Sequence, residues 1–87
     1  MYSKEITITN QVGLYARPAT FFIQKANEFR STVMVEKDER KVNAKSLLGV
    51  LSLGITRGST VTISAEGPDE EQAVNAICEL VASNFGE

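Results

Sequence analysis

The sequence contains no histidine and only one cysteine. Without an imidazole, the chain lacks the side chain that most often serves as a nitrogen nucleophile or as a metal ligand near neutral pH. Cys78 cannot form a disulfide within the chain, so neither a disulfide framework nor a zinc site is expected. Because Cys78 falls in an apolar helical pattern, we predict that its thiol is buried and unreactive.

Long apolar runs are also absent. Met1 leads directly into a polar segment that includes Lys4 and Glu5, with no stretch typical of a secretory signal or a membrane span. We therefore expect a cytoplasmic protein without a membrane partner. The 9 basic and 11 acidic side chains give a net charge of −2, which provides no general attraction for nucleic acid. Any role linked to DNA is expected to pass through a protein partner.

The sequence shows none of the usual catalytic patterns. It has no glycine-rich phosphate loop and no carboxylate cluster at a recognisable spacing, and a serine or cysteine nucleophile would find no histidine base. We therefore expect a protein that is not itself an enzyme and that uses no cofactor or metal.

The length and composition favour one small globular domain spanning residues 1–87. A chain of 87 residues, 43% of them hydrophobic and 23% charged, is expected to bury roughly 60 to 65% of its unfolded surface. No linker, repeat or low-complexity segment interrupts it.

Hydrophobic periodicity predicts an alternation of strands and helices. Alternating patterns indicate strands, and apolar residues at helical spacing indicate helices. Ser46 is a suitable helix N-cap and Gly54 a suitable helix end, while Asp69 and Gln72 fit a capping box. The predicted strands are 2–9, 32–36, 40–43 and 60–66, and the predicted helices are 16–29, 47–53 and a last helix after Asp69.

This order, βαββαβα, predicts an α+β fold. Four antiparallel strands would form one sheet, and three helices would cover one of its faces, as in an open-faced two-layer β-sandwich. The charged stretch Asp38–Lys41 is interpreted as a solvated turn.

Two segments carry a resemblance to a known family. Gly13–Ala19 reads GLYARPA, and Val42–Gly54 reads VNAKSLLGVLSLG. Their sequences and spacing resemble the active-site motif and the regulatory-serine segment of the HPr family, the small phosphocarriers of the bacterial sugar phosphotransferase system. The resemblance extends over the whole chain without a gap and implies the same open-faced sandwich.

Tyr15 departs from the family pattern, because the resemblance places the phosphocarrier histidine at this position. A phenol is a poor nucleophile near neutral pH, and a phosphotyrosine would lack the labile P–N bond that relay needs. We therefore expect no histidine-type phosphoryl relay. The chain then resembles the Crh-type regulators of the family. A phosphocarrier whose histidine has been replaced by tyrosine, naturally or by engineering, and a bare interaction domain remain as alternatives.

The resemblance also implies a role for Ser46. In the family the equivalent serine is phosphorylated by HPr kinase/phosphorylase, and the phosphoprotein binds a catabolite control repressor of the LacI type as corepressor. Without the resemblance, the local sequence around Ser46 indicates a helix N-cap and nothing more.

A partner-binding surface is predicted around Tyr15 and Ser46. A short helix cannot turn all its apolar residues toward one core, so some must be exposed beside Ser46, whereas Val50 and Leu53 are expected to pack on the sheet. The resemblance also implies either a monomer or a strand-swapped homodimer. The predicted partner-binding residues are Tyr15, Arg17, Thr20, Leu47, Leu48 and Leu51.

Overall fold

The computed structural model describes residues 1–86, which form four strands, three α-helices and a short 3₁₀ turn. The elements in chain order are β1 (Tyr2–Thr7), α1 (Ala16–Asn27), β2 (Thr32–Lys37), β3 (Arg40–Asn43), α2 (Leu47–Ser52), β4 (Thr60–Glu66), α3 (Glu70–Ala82) and the turn Asn84–Gly86. The predicted order βαββαβα is confirmed.

The strands form one antiparallel sheet in the order β1-β4-β2-β3. Strand β4 therefore lies between β1 and β2, with Ile63 opposite both Lys4 and Val35. The helices pack on one face of this sheet, α3 against β1 and β4 and α1 against α3 and α2. The predicted α+β open-faced sandwich is confirmed.

The core lies between the sheet and the helices. Alternate residues of the strands meet an apolar face of each helix, as the period of two in strands and of 3.6 in helices requires. Val50 and Leu53, predicted to pack on the sheet, are 0% and 6% exposed. The larger buried side chains include Ile8, Leu14, Phe22, Val33, Val35, Ile55, Val61, Ile63, Val74, Ile77, Val81 and Phe85.

The other face of the sheet carries polar side chains. The hydroxyls of Thr7 and Thr60 lie 3.2 Å apart across β1 and β4, and Thr62 and Ser64 continue the row along β4. Within residues 1–86, no helix combines the length and apolar character needed to cross a membrane.

Four predicted element ends are wrong by one or two residues. Strand β2 continues one residue further than predicted, to Lys37, and local hydrogen bonds explain two of the other three differences. Strand β1 ends before Ile8, whose amide donates to the carbonyl of Ser59 (2.8 Å) in a loop. Helix α1 ends before residues 28 and 29 because their amides bond three residues back rather than four, at Lys25 and Ala26. Helix α2 ends at Ser52, one residue early.

The predicted capping box of the last helix is also wrong. Asp69 does precede α3, but its side chain makes no cap bond to that helix. Its carboxylate instead accepts hydrogen bonds from the amides of Arg30 and Ser31, both at 2.9 Å. Among the described residues, Glu70 supplies a bond at this helix start by accepting from the amide of Gly67 (3.2 Å), and Gln72 supplies none.

The prediction that Cys78 is buried needs correction. Its side chain packs against the core but remains partly exposed, in a shallow depression that Lys4 and Asn75 also line. Partial burial raises the pKa of the Cys78 thiol, and the nearby charge of Lys4 acts in the opposite direction. The thiol is thus accessible but less readily ionised than a free one.

Candidate functional site

The loop before α1 presents Tyr15 at the surface. Leu14 is buried, and its amide donates to the carbonyl of Ile55 at 3.0 Å. The side chain of Asn10 donates to the carbonyl of Gly13 at 2.9 Å. These anchors hold the loop against the body of the protein, so Tyr15, the next residue, is directed outward and is 66% exposed.

A sharp backbone change separates Tyr15 from the helix that follows. Tyr15 is extended (φ −142°, ψ 157°), whereas Ala16 has a left-handed φ of 54°. Such a φ costs a residue other than glycine about 1–2 kcal/mol. Pro18 is buried in the first turn of α1, where the missing amide hydrogen is tolerated. Tyr15 therefore occupies the position just before the helix, and its side chain makes no cap hydrogen bond.

Arg17 and Thr20 lie on the first two turns of α1. The guanidinium carbon of Arg17 is 5.6 Å from the centre of the Phe21 ring, a cation–π arrangement. No carboxylate within residues 1–86 forms an ion pair with Arg17. The Thr20 hydroxyl makes a long contact of 3.4 Å with the carbonyl of Ala16. Arg17 thus keeps its hydrogen-bond donors available for a ligand.

Ser46 begins α2 as predicted. Its backbone is extended (φ −108°, ψ 117°), and its Oγ accepts a hydrogen bond from the amide of Gly49 at 3.2 Å. The first turn of α2 contains no acidic residue to offset the positive end of the helix.

Hydrogen bonds also hold the segment that leads into Ser46. Asn43 accepts from the Lys45 amide through its side chain (2.8 Å) and from the Ser46 amide through its carbonyl (3.1 Å). The ammonium of Lys45 donates to the carbonyl of Phe29 at 2.8 Å, just beyond the end of α1. The position of Ser46 relative to α1 is therefore well defined.

The leucines of α2 divide between core and surface. Leu48 is 80% exposed and Leu47 is 46% exposed, while Leu51 is half-buried. Leu47 and Leu48 form a contiguous exposed apolar patch directly after Ser46, and contiguous patches of this kind are typical of interaction sites.

An open groove of about 540 Å³ lies between α1 and α2. We call it the α1–α2 groove. It brings together five of the six predicted partner-binding residues, and Leu48 is not part of its lining. Its lining consists of Tyr15, Ala16, Arg17, Ala19, Thr20, Leu47 and Leu51.

The sequence did not reveal every residue that shapes this surface. Ala19 is fully buried and lines the groove, but small residues in an apolar helical pattern carry no separate signal. Arg40 was interpreted as part of a solvated stretch and is exposed, but nothing in the sequence indicated that its Nη1 donates to the carbonyl of Ser52 at 2.9 Å.

The geometry of the site favours binding. Tyr15 and Arg17 border an apolar groove, and the hydroxyl of Ser46 lies one residue before the exposed leucines. Across residues 1–86, no group of three or more His, Cys, Asp or Glu side chains is placed to hold a metal ion.

Comparison with known proteins gives consistent matches. Residues 2–83 match the family model described as PTS HPr component phosphorylation site. The chain is 46% identical to an HPr-like protein Crh of Halalkalibacterium halodurans, over 93% of this chain and 96% of that one.

Two solved structures extend the comparison. A structure of HPr-C-His from Thermoanaerobacter tengcongensis is 52% identical, with a TM-score of 0.99 over 100% of this chain and 98% of that one. The Crh of Bacillus subtilis, solved as a dimer with a swapped domain, is 42% identical, with a TM-score of 0.76 over 97% of both chains.

Proposed function

This chain belongs to the HPr family, and we propose that within it the chain acts as a Crh-like regulator of carbon catabolite repression. HPr kinase/phosphorylase phosphorylates Ser46, and the phosphoprotein binds a catabolite control repressor of the LacI type as corepressor. The protein is a phosphorylatable binding partner and has no catalytic site of its own.

One observation carries this proposal: tyrosine occupies the position at which the family motif has its phosphocarrier histidine. Tyr15 is 66% exposed at the rim of the α1–α2 groove, and the chain contains no histidine that could take over the relay. The Ser46 segment, by contrast, resembles the regulatory-serine motif of the family, and Ser46 begins helix α2.

The change at Ser46 is local and electrostatic. A phosphate adds roughly −1.5 to −2 charges and three strong acceptor oxygens. It would be attached where α2 begins, with no acidic residue in the first turn to oppose it. No refolding is required, because Ser46 is already held by Asn43 and Lys45 is tied to Phe29.

The proposed repressor contact combines this charge with apolar surface. Leu47 and Leu48 are exposed next to Ser46, and Arg17 across the groove has no carboxylate partner among residues 1–86. Basic side chains of the repressor would bind the phosphate, and a repressor carboxylate would bind Arg17. Charge and apolar contact together would distinguish the phosphorylated form.

Intact-mass measurement after incubation with ATP and HPr kinase tests the proposal. We expect one added phosphate on the wild type and none on Ser46→Ala. Ser52→Ala is the matched control, because Ser52 lies on the same helix but bonds to the carbonyl of Gly49 instead of capping the helix start. Absence of phosphate on the wild type, under conditions that modify an HPr with an intact serine motif, would refute the kinase step.

A second candidate function is that of an HPr phosphocarrier whose histidine has been replaced. The observation in its favour is the 52% identity and TM-score of 0.99 to a protein described as HPr, compared with 46% identity to a Crh. Under this alternative the groove is built for carrier partners and only the nucleophile is missing.

Tyr15→His tests this alternative. If the chain is a disabled carrier, the variant accepts a phosphoryl group from phosphorylated enzyme I and passes it to a sugar transporter subunit, while the wild type does neither. Acceptance without onward transfer would count against the carrier alternative, since the partner surface would then be incomplete.

We also propose that the chain can exchange β1 to form a homodimer. Within residues 1–86, β1 is an edge strand whose one neighbour is β4, so replacing it with the same strand of a second copy preserves the ladder bonds. The swapped dimer of the Crh relative supports this proposal. Light scattering over a range of concentrations distinguishes a fixed monomer from a reversible dimer.

A further inference from the structure

The hairpin of β2 and β3 holds the end of α2 through two cationic side chains. Lys37 and Arg40 face each other in the strand ladder, one on each side of the turn. The ammonium of Lys37 donates to the carbonyl of Gly54 at 3.2 Å. The guanidinium of Arg40 donates to the carbonyl of Ser52 at 2.9 Å and contacts the Ser52 hydroxyl at 3.4 Å.

The bond from Arg40 supplies what α2 lacks, and the bond from Lys37 holds Gly54, two residues beyond the helix. The last carbonyls of a helix have no partners within it, and a positive charge there interacts favourably with the helix dipole. Helix α2 has six residues and no basic residue in its last turn. A helix this short is not stable by itself and depends on its surroundings for its position.

The turn between the two cationic residues has an unusual backbone conformation. Asp38 and Glu39 both have left-handed φ values, 51° and 68°. Two successive left-handed residues match the twist of strands joined by a two-residue turn. Asparagine and glycine are the residues that usually adopt this conformation. The tight turn keeps Lys37 and Arg40 directly opposite each other, so both can reach the same helix end.

We propose that Lys37 and Arg40 are positioning residues, which fix the C-terminal end of α2 and thereby set how well its leucines engage the partners of Ser46. Leu51, which lines the α1–α2 groove, immediately precedes the residue whose carbonyl Arg40 binds. A shift of that carbonyl therefore moves Leu51 and changes the shape of the groove. The second half of this proposal rests on the proposed function, whereas the first half does not.

Amide hydrogen exchange measured by NMR tests the first half. In a Lys37→Met, Arg40→Met double variant, which keeps the apolar stems, we expect the amides of Leu53 and Gly54 to exchange about tenfold faster than in the wild type, as two lost charge-assisted bonds at a helix end imply. Arg40→Lys, made with Lys37 unchanged, should keep part of the protection that the double variant loses. Unchanged exchange in the double variant overturns the proposal.

Lys41→Met is the matched control. Lys41 is exposed on the same strand, and its side chain makes no hydrogen bond or ion pair with residues 1–86; it borders the open face near Met34 and Ser64. We expect exchange in α2 to stay as in the wild type. Acceleration equal to that of the double variant would overturn the assignment to Lys37 and Arg40.

Steady-state phosphorylation by HPr kinase tests the second half. We expect the double variant to raise KM about tenfold with kcat nearly unchanged, because docking is weakened while the Ser46 hydroxyl is intact. An unchanged KM alongside faster exchange overturns the link to recognition. If the wild type itself is not phosphorylated, the proposed function fails, and hydrogen exchange alone then decides whether the two cations position α2.

Discussion

The hydroxyl of Ser46 and the amide of Gly49 are joined by a hydrogen bond of 3.2 Å that begins helix α2. The group proposed to receive phosphate is therefore also the cap of the helix that carries the exposed leucines. A change at Ser46 acts on charge and on helix stability together, and the two effects can be separated by substitution.

Ser46→Ala is expected to lower the free energy of unfolding by about 1 kcal/mol, because it removes the cap acceptor. Ser46→Asp should keep wild-type stability, since a carboxylate can accept the same bond and is favoured at a helix N-terminus. Urea denaturation measures both. Equal losses in the two variants would show that the Gly49 amide does not depend on this cap.

Leu48→Ala is expected to separate binding from stability. The side chain is 80% exposed, so the free energy of unfolding should change by less than about 0.5 kcal/mol. Repressor affinity should fall by about tenfold, as for a residue at the centre of an interface. Val12→Ala is the control, because Val12 is also exposed, at 50%, but lies in the loop before α1 and not next to Ser46 on α2. If calorimetric titration gave both variants the same affinity for the repressor, the role assigned to Leu48 would be contradicted.

Asp69 is expected to make stability depend on pH in acid. Hydrogen bonds from the Ser31 hydroxyl and the Arg30 amide lower the pKa of its carboxyl from 3.8 to about 2 in the folded protein. The stabilisation is present above the unfolded value, near pH 4, and is lost as the pH falls through about 2. The difference in unfolding free energy between wild type and Asp69→Asn should therefore shrink over this range.

NMR titration of the Asp69 carboxyl measures its pKa directly and so tests the same hydrogen bonds. Ser31→Ala removes the hydroxyl that contributes most, so the pKa of Asp69 should rise toward its ordinary value in that variant. A titration midpoint of Asp69 near 3.8 in the wild type would refute this account.

Gly13→Ala is expected to destabilise the protein by about 2–4 kcal/mol, from a left-handed backbone and from overpacking together. Gly13 has a φ of 66°, and a β-carbon there would overlap the Ile55 carbonyl oxygen and lie 2.7 Å from Thr56 Cα. Gly58→Ala isolates the backbone contribution, because Gly58 has a φ of 91° but open space around it. In thermal unfolding, the melting temperature of Gly13→Ala should lie well below that of Gly58→Ala. Equal decreases in melting temperature would argue against the close contact.

Local patterns were sufficient to predict the fold. Val61 and Ile63 alternate with polar residues, and Phe22 and Ala26 recur at helical spacing, so each segment favours the structure that it adopts. Ser46 and Gly54 mark the ends of α2 because their local conformations serve as caps whatever lies around them. Predictions of this kind depend only on neighbours in sequence.

Bonds between distant residues could not be predicted. Asp69 and Ser31 are 38 positions apart, and only the folded chain brings the carboxylate to the Ser31 amide instead of its own helix. Arg40 reaches Ser52 across 12 positions for the same reason. The left-handed Ala16 has no sequence signal, because alanine there gives no local preference for that conformation.

Calorimetric titration of a LacI-type catabolite control repressor with the phosphorylated and unphosphorylated protein tests the central claim most directly. The account predicts measurable binding only for the form phosphorylated on Ser46, with weaker binding when Leu48 is replaced by alanine. Equal affinity of the two forms, or no binding by either, would contradict a phosphoserine-dependent corepressor role.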